Sequence, residues 1–351
     1  MRDAVIGAPA FHRVVEATPF TRPIASRYTR ATFDLVAGFV YSQTLAVLIE
    51  LKILTRLRAG PQTTEHLAAA TGVAADRLDK VLVAAAAIGL VDRRRKGWGL
   101  ALRGAAISAQ DGITHMVRHH HHLYADLTAP VELAKGPRAT ALADYWTYTA
   151  HSAGSDVTPY SALMAASQPF VSTAILHNRV FREARTLVDL GGGAGAFAIA
   201  ALKRQPKLTV TVADRAEVVP LAADALAAAG LAERAHVHAL DFFTDSLAFE
   251  ADAISLVRVL HDHDDGSAAA LLSRLAKESP GAALLLIEPM AHRSRPSGLD
   301  AYFPWYFLAM GQGRLRTPAE IRVMLEAAGY GSIKALHSRN PTLAQGLIAR
   351  V

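Results

Sequence analysis

Five titratable side chains crowd one short stretch, SLVRVLHDHDD, in which His261, Asp262, His263, Asp264 and Asp265 follow an apolar run. An imidazole titrates near neutrality, so His261 is the group there suited to take a hydroxyl proton as general base. Asp264 or Asp265 reads as the N-cap of a helix running to Ser279. A second apolar run, LLLIEPM, ends near Glu288. A carboxylate beside His261 would hold the imidazole tautomer and stabilise its protonated form; pairing with Arg258 or a backbone amide is the structural alternative. The spacing of His261 and His263 raises the question of a metal. Side chains two apart share a face only while a strand continues, and no third ligand stands out, so no metal is expected.

A glycine-rich segment complements this cluster. TLVDLGGGAGAF places Gly191, Gly193 and Gly195 behind an apolar run, where they allow a tight turn and close approach of a ligand to the backbone at a helix N-terminus. G-x-G-x-x-A also fits, so this motif alone leaves a nicotinamide dinucleotide open. About 20 residues further on, the spacing at which a ribose-binding acid is found, VADRAEVV supplies Asp214, whose carboxylate can accept both ribose hydroxyls of an adenosine. The pair points to a nucleoside-containing cofactor. ALDFF adds Asp241 for the exocyclic adenine amine and Phe242 for the ring, with Asp241 as a mere turn cap the competing reading.

These residues share one kind of position. Strand candidates at Thr186 to Leu190, Leu208 to Ala213, Ala235 to Leu240, Ala253 to Val259 and Ala283 to Glu288 alternate with helical stretches, which predicts right-handed βαβ units and a doubly wound α/β sheet. In such sheets ligands bind beyond the carboxyl ends of the strands, where each of the groups above falls.

The first third differs. Residues 30–58 carry apolar groups at helical spacing up to Gly60-Pro61 and predict one long, mostly buried helix. Thr63-Thr64-Glu65 opens a short helix, Asp76 caps a second one through Ile88, and Lys96-Gly97 fits a tight hairpin. Helix, turn, helix, hairpin is a winged-helix pattern. The second helix offers Arg77 and Lys80 but no Asn, Gln or Ser for base edges, so dimerisation is favoured over DNA binding and no nucleic acid is expected. The expected division is 1–110, helical and winged-helix; 111–180, helices bridging the halves with a loop around 150–158; and 181–351, α/β.

Composition narrows the rest. At 351 residues the chain exceeds one ordinary domain; 51% is hydrophobic, 19% charged, and no uncharged apolar run long enough to span a bilayer appears. The absence of cysteine removes disulfides and thiolate chemistry. No signal-peptide pattern opens the chain, so the cytoplasm is expected. The net charge of +6 is uneven: residues 1–110 carry 15 Lys/Arg against 8 Asp/Glu, the remainder 22 against 23. That asymmetry suggests peripheral contact with an acidic membrane such as the inner membrane, a solvated basic face being the bland reading. The run His119 to His122 sits on a helix, where consecutive side chains point around the axis, and reads as an inter-domain polar contact rather than a metal site. Tyr302, Tyr306 and Met310 stand at helical spacing. Such a stripe is usually core, but its aromatic density beside the strand-end groups fits an apolar acceptor pocket.

LVDLGGGAGAF, the acid at Asp214, LDFF, RVLHDHDD and LLIEPM, in this order behind a winged helix, resemble the S-adenosylmethionine-dependent small-molecule O-methyltransferases of the plant caffeate and bacterial polyketide type. FDLVAGFVYSQ, MVRHHHHLYADL, YSALMAASQP and AYFPWYFLAMGQGRLRTPAEI resemble the branch that modifies carotenoids in purple photosynthetic bacteria. The resemblance implies a Rossmann-like methyltransferase domain behind a dimerisation domain, a homodimer, S-adenosylmethionine as methyl donor and an apolar acceptor, a 1-hydroxycarotenoid. It assigns Gly191, Gly193 and Gly195 to the cofactor, Asp214 to its ribose, Asp241 and Phe242 to its adenine, His261 to the base and Glu288 to the base's support. Met164 and Ser167 fall in the helix bordering cofactor and acceptor. Plant members carry a lysine four residues before the base and a glutamate before the Arg-Thr of the following segment; here Val257 and Leu315 stand there, with Arg258 offering the cation instead. A polyketide phenol or bacteriochlorophyll precursor is the alternative acceptor, and a winged-helix regulator with a sensing domain the alternative class.

Overall fold

The computed structural model describes the chain except residues 1, 2, 4, 5, 147–157, 293, 342 and 343, and omits the side chains of residues 12 and 158–162. The loop expected around 150–158 therefore lies almost wholly outside the described residues. The chain forms two compact units, Met1–Gln110 and Asp111–Val351.

In the first unit, Arg22–Glu50 is a 29-residue helix entered through Pro23, whose fixed φ suits a first turn. The expectation of one mostly buried helix over 30–58 is corrected twice. The helix stops at Leu51, where Lys52 takes a left-handed φ of 55°, and a separate turn Ile53–Leu57 follows. Its buried residues are Ala37, Thr44, Leu48 and Ile49, while Phe33, Leu35, Val36 and Phe39 are exposed within the chain. It is also long and apolar enough to cross a membrane by length and composition. Helices Thr64–Thr71 and Ala75–Ala87 and the hairpin β1 (Val91–Arg94) and β2 (Gly97–Leu100) complete the winged helix. Thr63 caps the first of these by accepting from His66 N–H. The second is capped by Ala74 without a side-chain bond, so Asp76 is a first-turn acid rather than its cap.

The second unit is built on seven strands: β3 (Thr186–Leu190), β4 (Thr209–Asp214), β5 (Ala235–Ala239), β6 (Ala253–Val257), β7 (Ala283–Glu288), β8 (Ser332–Leu336) and β9 (Gln345–Arg350). Their order is β5-β4-β3-β6-β7-β9-β8. The first five are parallel, and β9 inserts antiparallel between β7 and β8. The order reverses at β3 and β6, which opens a crevice at their carboxyl ends. Period-two alternation feeds two cores. Leu284 and Leu286 of β7 join Leu271, Leu275 and Ile321 on one face, while Leu285 and Ile287 join Ile175, Phe197 and Leu202 on the other. With both faces covered, all six residues of β7 are buried, as the near-continuous apolar run required.

Candidate active site

Beyond the carboxyl ends of β3 to β6 lies a cavity of about 740 Å³. Gly191, Gly193 and Gly195 adopt φ values of 70°, 56° and 72°, which L side chains rarely take. Gly192, which the motif reading passed over, is sterically required: a Cβ there would stand 2.8 Å from Asp189 Oδ2 and from Val212 Cγ1. Asp214 closes the loop by accepting from Gly193 N–H at 2.7 Å and Arg215 N–H at 2.8 Å. Burial pushes its carboxyl up to about 6 against those two bonds. Its remaining lone pairs can receive ribose hydroxyls.

Gly191, Gly193, Asp214, Asp241, Phe242, Arg258 and Met164 all line this cavity. Asp241 stands on the cavity wall and also caps the following turn, its Oδ1 accepting from Phe243 N–H at 2.8 Å. Phe242 meets His263 edge-on, and burial holds that imidazole down to about 4, hence neutral. One wall residue had no sequence assignment. Asp189, within β3, is 1% exposed; Oδ1 accepts from Ser255 Oγ at 2.7 Å, Oδ2 has no hydrogen-bond partner among the described residues, and burial raises the carboxyl to about 7. A buried acceptor on a cavity wall without a partner fits an incoming ammonium.

Arg258 lines the cavity and also makes contacts that the sequence did not announce. At φ 58° it ends β6 two residues earlier than expected, and its guanidinium bonds Ser167 Oγ, Met164 O and Gln168 Oε1 at 2.8 to 3.0 Å. It thereby clamps helix Thr158–Ile175 to the strand end; Ser167 serves that clamp and does not line the cavity.

Because the strand ends at Val257, His261 stands on a 3-10 turn, Leu260–Asp262. Glu288, 2% exposed at the end of β7, accepts from Val259 and Leu260 N–H at 3.0 and 2.8 Å through Oε1, and Oε2 lies 2.5 Å from His261 Nδ1. Both alternatives for Glu288 are thus realised on its two oxygens. On the other side His261 Nε2 stands 3.2 Å from Asp262 Oδ1. Asp262 lines the cavity, whereas His261 is held behind it against Phe303 and Phe307, with ring centroids 5.9 Å away in each case. Burial pushes the imidazole down, but Asp262 and Glu288 outweigh it and the net shift is upward. Burial raises Asp262 to about 6.

The aromatic stripe is core in this conformation. Tyr306 and Met310 are buried with Leu133 and Leu142, and neither they, Tyr302 nor Gly195 line the cavity. Asp264 caps helix Asp265–Glu278 by accepting from Ser267 N–H, and Asp265 binds Arg314 and Arg316. Among the described residues no group of three or more His, Cys, Asp or Glu side chains could hold a metal.

A glycine loop, a buried ribose-type acid at the next strand end and an imidazole backed by a carboxylate define a group-transfer site on a nucleotide-binding sheet. The O-methyltransferase domain family matches residues 124–331, and the O-methyltransferase dimerisation domain matches residues 33–104, including the winged helix. The chain belongs to the O-methyltransferase family. It is 41% identical over 350 residues to demethylspheroidene O-methyltransferase of Cereibacter sphaeroides, covering 98% of this chain and 92% of that protein. To the enzyme of the same name from Rhodobacter capsulatus it is 38% identical over 336 residues, covering 94% and 84%. Among solved structures, human N-acetylserotonin methyltransferase in complex with SAM superposes with a TM-score of 0.77 at 23% identity, covering 92% of this chain and 97% of that one. That likeness is one of fold.

Proposed function

We propose that this protein methylates the hydroxyl of a 1-hydroxycarotenoid with S-adenosylmethionine as donor. The observation that carries the reading is the buried His261–Glu288 pair immediately behind Asp262 on the wall of a cavity that also presents Asp214, Phe242 and the open acceptor of Asp189. Those walls suit the donor: Asp189 for its ammonium, Asp214 for its ribose, Asp241 and Phe242 for its adenine. When bound, the donor supplies a sulfonium methyl open to displacement.

Glu288 accepts the Nδ1 proton and so leaves the Nε2 lone pair of neutral His261 for the acceptor hydroxyl. The contact between Nε2 and Asp262 must yield to that hydroxyl. His261 would take the acceptor's hydroxyl proton on Nε2 as the methyl group passes to the acceptor oxygen and the sulfonium sulfur leaves as a neutral thioether, and the two carboxylates would stabilise the imidazolium that results. An aliphatic alcohol is a weaker acid than a phenol, so proton removal is concerted with attack. Positioning supplies most of the acceleration, a near-attack geometry being worth about 7–11 kcal/mol. Phe303 and Phe307 beside the imidazole suit an apolar chain.

The 41% identical relative supports the carotenoid acceptor. The protein works as a homodimer in the cytoplasm and meets its bilayer-soluble acceptor through peripheral contact of its basic first unit with the membrane. Incubation with methyl-labelled donor and 1-hydroxycarotenoids, phenols and chlorin pigments tests this. Label in the carotenoids is expected; label confined to phenols or chlorins overturns the acceptor. Membrane contact predicts binding to anionic liposomes that high salt releases.

A further inference from the structure

The histidine run on helix Asp111–Asp126 faces the aromatic stripe on helix Gly298–Met310. His119 Nε2 lies 2.8 Å from the Tyr306 hydroxyl, and His120 Nε2 2.9 Å from that of Tyr302. The Tyr306 oxygen also accepts from Trp146 Nε1–H at 3.0 Å. An indole N–H only donates and occupies one of the two lone pairs of the Tyr306 oxygen, which leaves the phenolic proton available to His119 Nε2. With the bond in that direction His119 is neutral and carries its proton on Nδ1. Burial, reinforced by His120, His122 and His121, holds it down to about 3.

His119 Nδ1 is buried and has no hydrogen-bond partner among the described residues, so with the proton there the donor is orphaned. An orphaned buried donor costs about 1–3 kcal/mol. Stability alone gives no reason to keep a histidine there, and the other end of the chain of bonds supplies one. Trp146, 4% exposed, forms part of the cavity wall beside Met164 and Gln168. The helix that carries Tyr306 also carries Phe303 and Phe307, which flank the His261 ring. One helix thus spans from the wall to the base.

We propose that His119 and Tyr306 are positioning residues: their bond fixes the Trp146 indole as a rigid wall of the cavity, in register with His261. The inference rests on the methyl-transfer reading of that cavity. Without an acceptor at position 119, Tyr306 turns its proton elsewhere, the bond from Trp146 Nε1–H to the Tyr306 oxygen loses its fixed geometry and the reactants lose alignment. A misplacement of about 1 Å can cost about 100-fold in rate.

Three full-length variants test the relay. His119→Phe keeps the volume without an acceptor, Tyr306→Phe removes the hydroxyl, and His119→Gln offers a carbonyl oxygen to the Tyr306 proton. The expected result is a kcat lowered about ten-fold or more in the two phenylalanine variants and restored to within about three-fold by glutamine, an alignment effect that leaves S-adenosylhomocysteine affinity by calorimetry within about three-fold throughout. A volume-filling role gives the opposite order, with His119→Phe better than His119→Gln, and overturns the proposal. Nitrogen-15 NMR of the wild-type imidazoles decides it even if a variant fails to fold. A neutral His119 protonated on Nδ1 at pH 6 is expected, and an Nε2–H tautomer refutes it. A wild-type protein that methylates none of the acceptors would count against the reading of the cavity and leave the tautomer result standing.

Discussion

Glu288 makes three contacts, and two substitutions separate their consequences. In Glu288→Gln the amide oxygen can keep the Val259 and Leu260 N–H bonds now at 3.0 and 2.8 Å. The amide nitrogen then faces His261 Nδ1, now 2.5 Å from a carboxylate oxygen. It can only donate, so the imidazole proton moves to Nε2 and the lone pair that serves as base is lost. General-base catalysis is worth about 10²–10⁴ in rate, so kcat/KM should fall by that factor, about 3–5 kcal/mol of transition-state stabilisation. S-adenosylhomocysteine affinity should stay near wild type, since Glu288 does not line the cavity. Glu288→Ala removes both acceptor oxygens and orphans two buried amides, a loss of about 2–6 kcal/mol of stability at about 1–3 kcal/mol for each amide left unpaired. Steady-state kinetics with labelled donor, calorimetry and urea unfolding read the three quantities. A glutamine variant within three-fold of wild-type kcat/KM, or as destabilised as the alanine variant, would refute the tautomer argument.

His261→Ala should lower kcat sharply with S-adenosylhomocysteine affinity nearly intact; unchanged kcat removes His261 from the mechanism. Only the neutral imidazole accepts a proton, and Asp262 and Glu288 hold it in the charged form, so kcat/KM should rise with pH through a value above the ordinary imidazole near 6.5; Asp262→Asn should move that limb to lower pH. The same raised value means that stability from the ion pair is complete below about pH 6.5 and fades as pH rises through the folded value. Asp214→Asn should weaken cofactor binding by about 10–100-fold, the worth of a hydrogen bond to a charged group, and calorimetry at wild-type affinity would count against its ribose role. Gly192→Ala brings a Cβ within 2.8 Å of Asp189 and Val212 and should abolish cofactor binding, while Phe39→Asp on the exposed face of helix Arg22–Glu50 should give a monomer by light scattering.

The groups that end strands were legible because chemistry and topology coincide there: Asp214, Asp241 and Glu288 each follow an apolar run whose partner strands the alternation already implied. What the sequence concealed depends on contacts between distant positions. Asp189 looked like one more strand residue until Ser255 of the neighbouring strand took one oxygen and left the other bare. Asp262 was hidden among capping acids, and only the turn at Leu260–Asp262 brings it to Nε2 of His261. No breaker residue announces the left-handed Lys52 or Arg258. The His119–Tyr306 bond joins positions 187 residues apart, beyond any local pattern. The exposed face of the first long helix misled because apolar spacing cannot tell a core from an interface.

The insertion of β9 beside β7 sets an order on biosynthesis. Gln345 is the register partner of Glu288, so while the nascent chain still lacks Gln345–Arg350 the strand that ends in Glu288 has a bare edge.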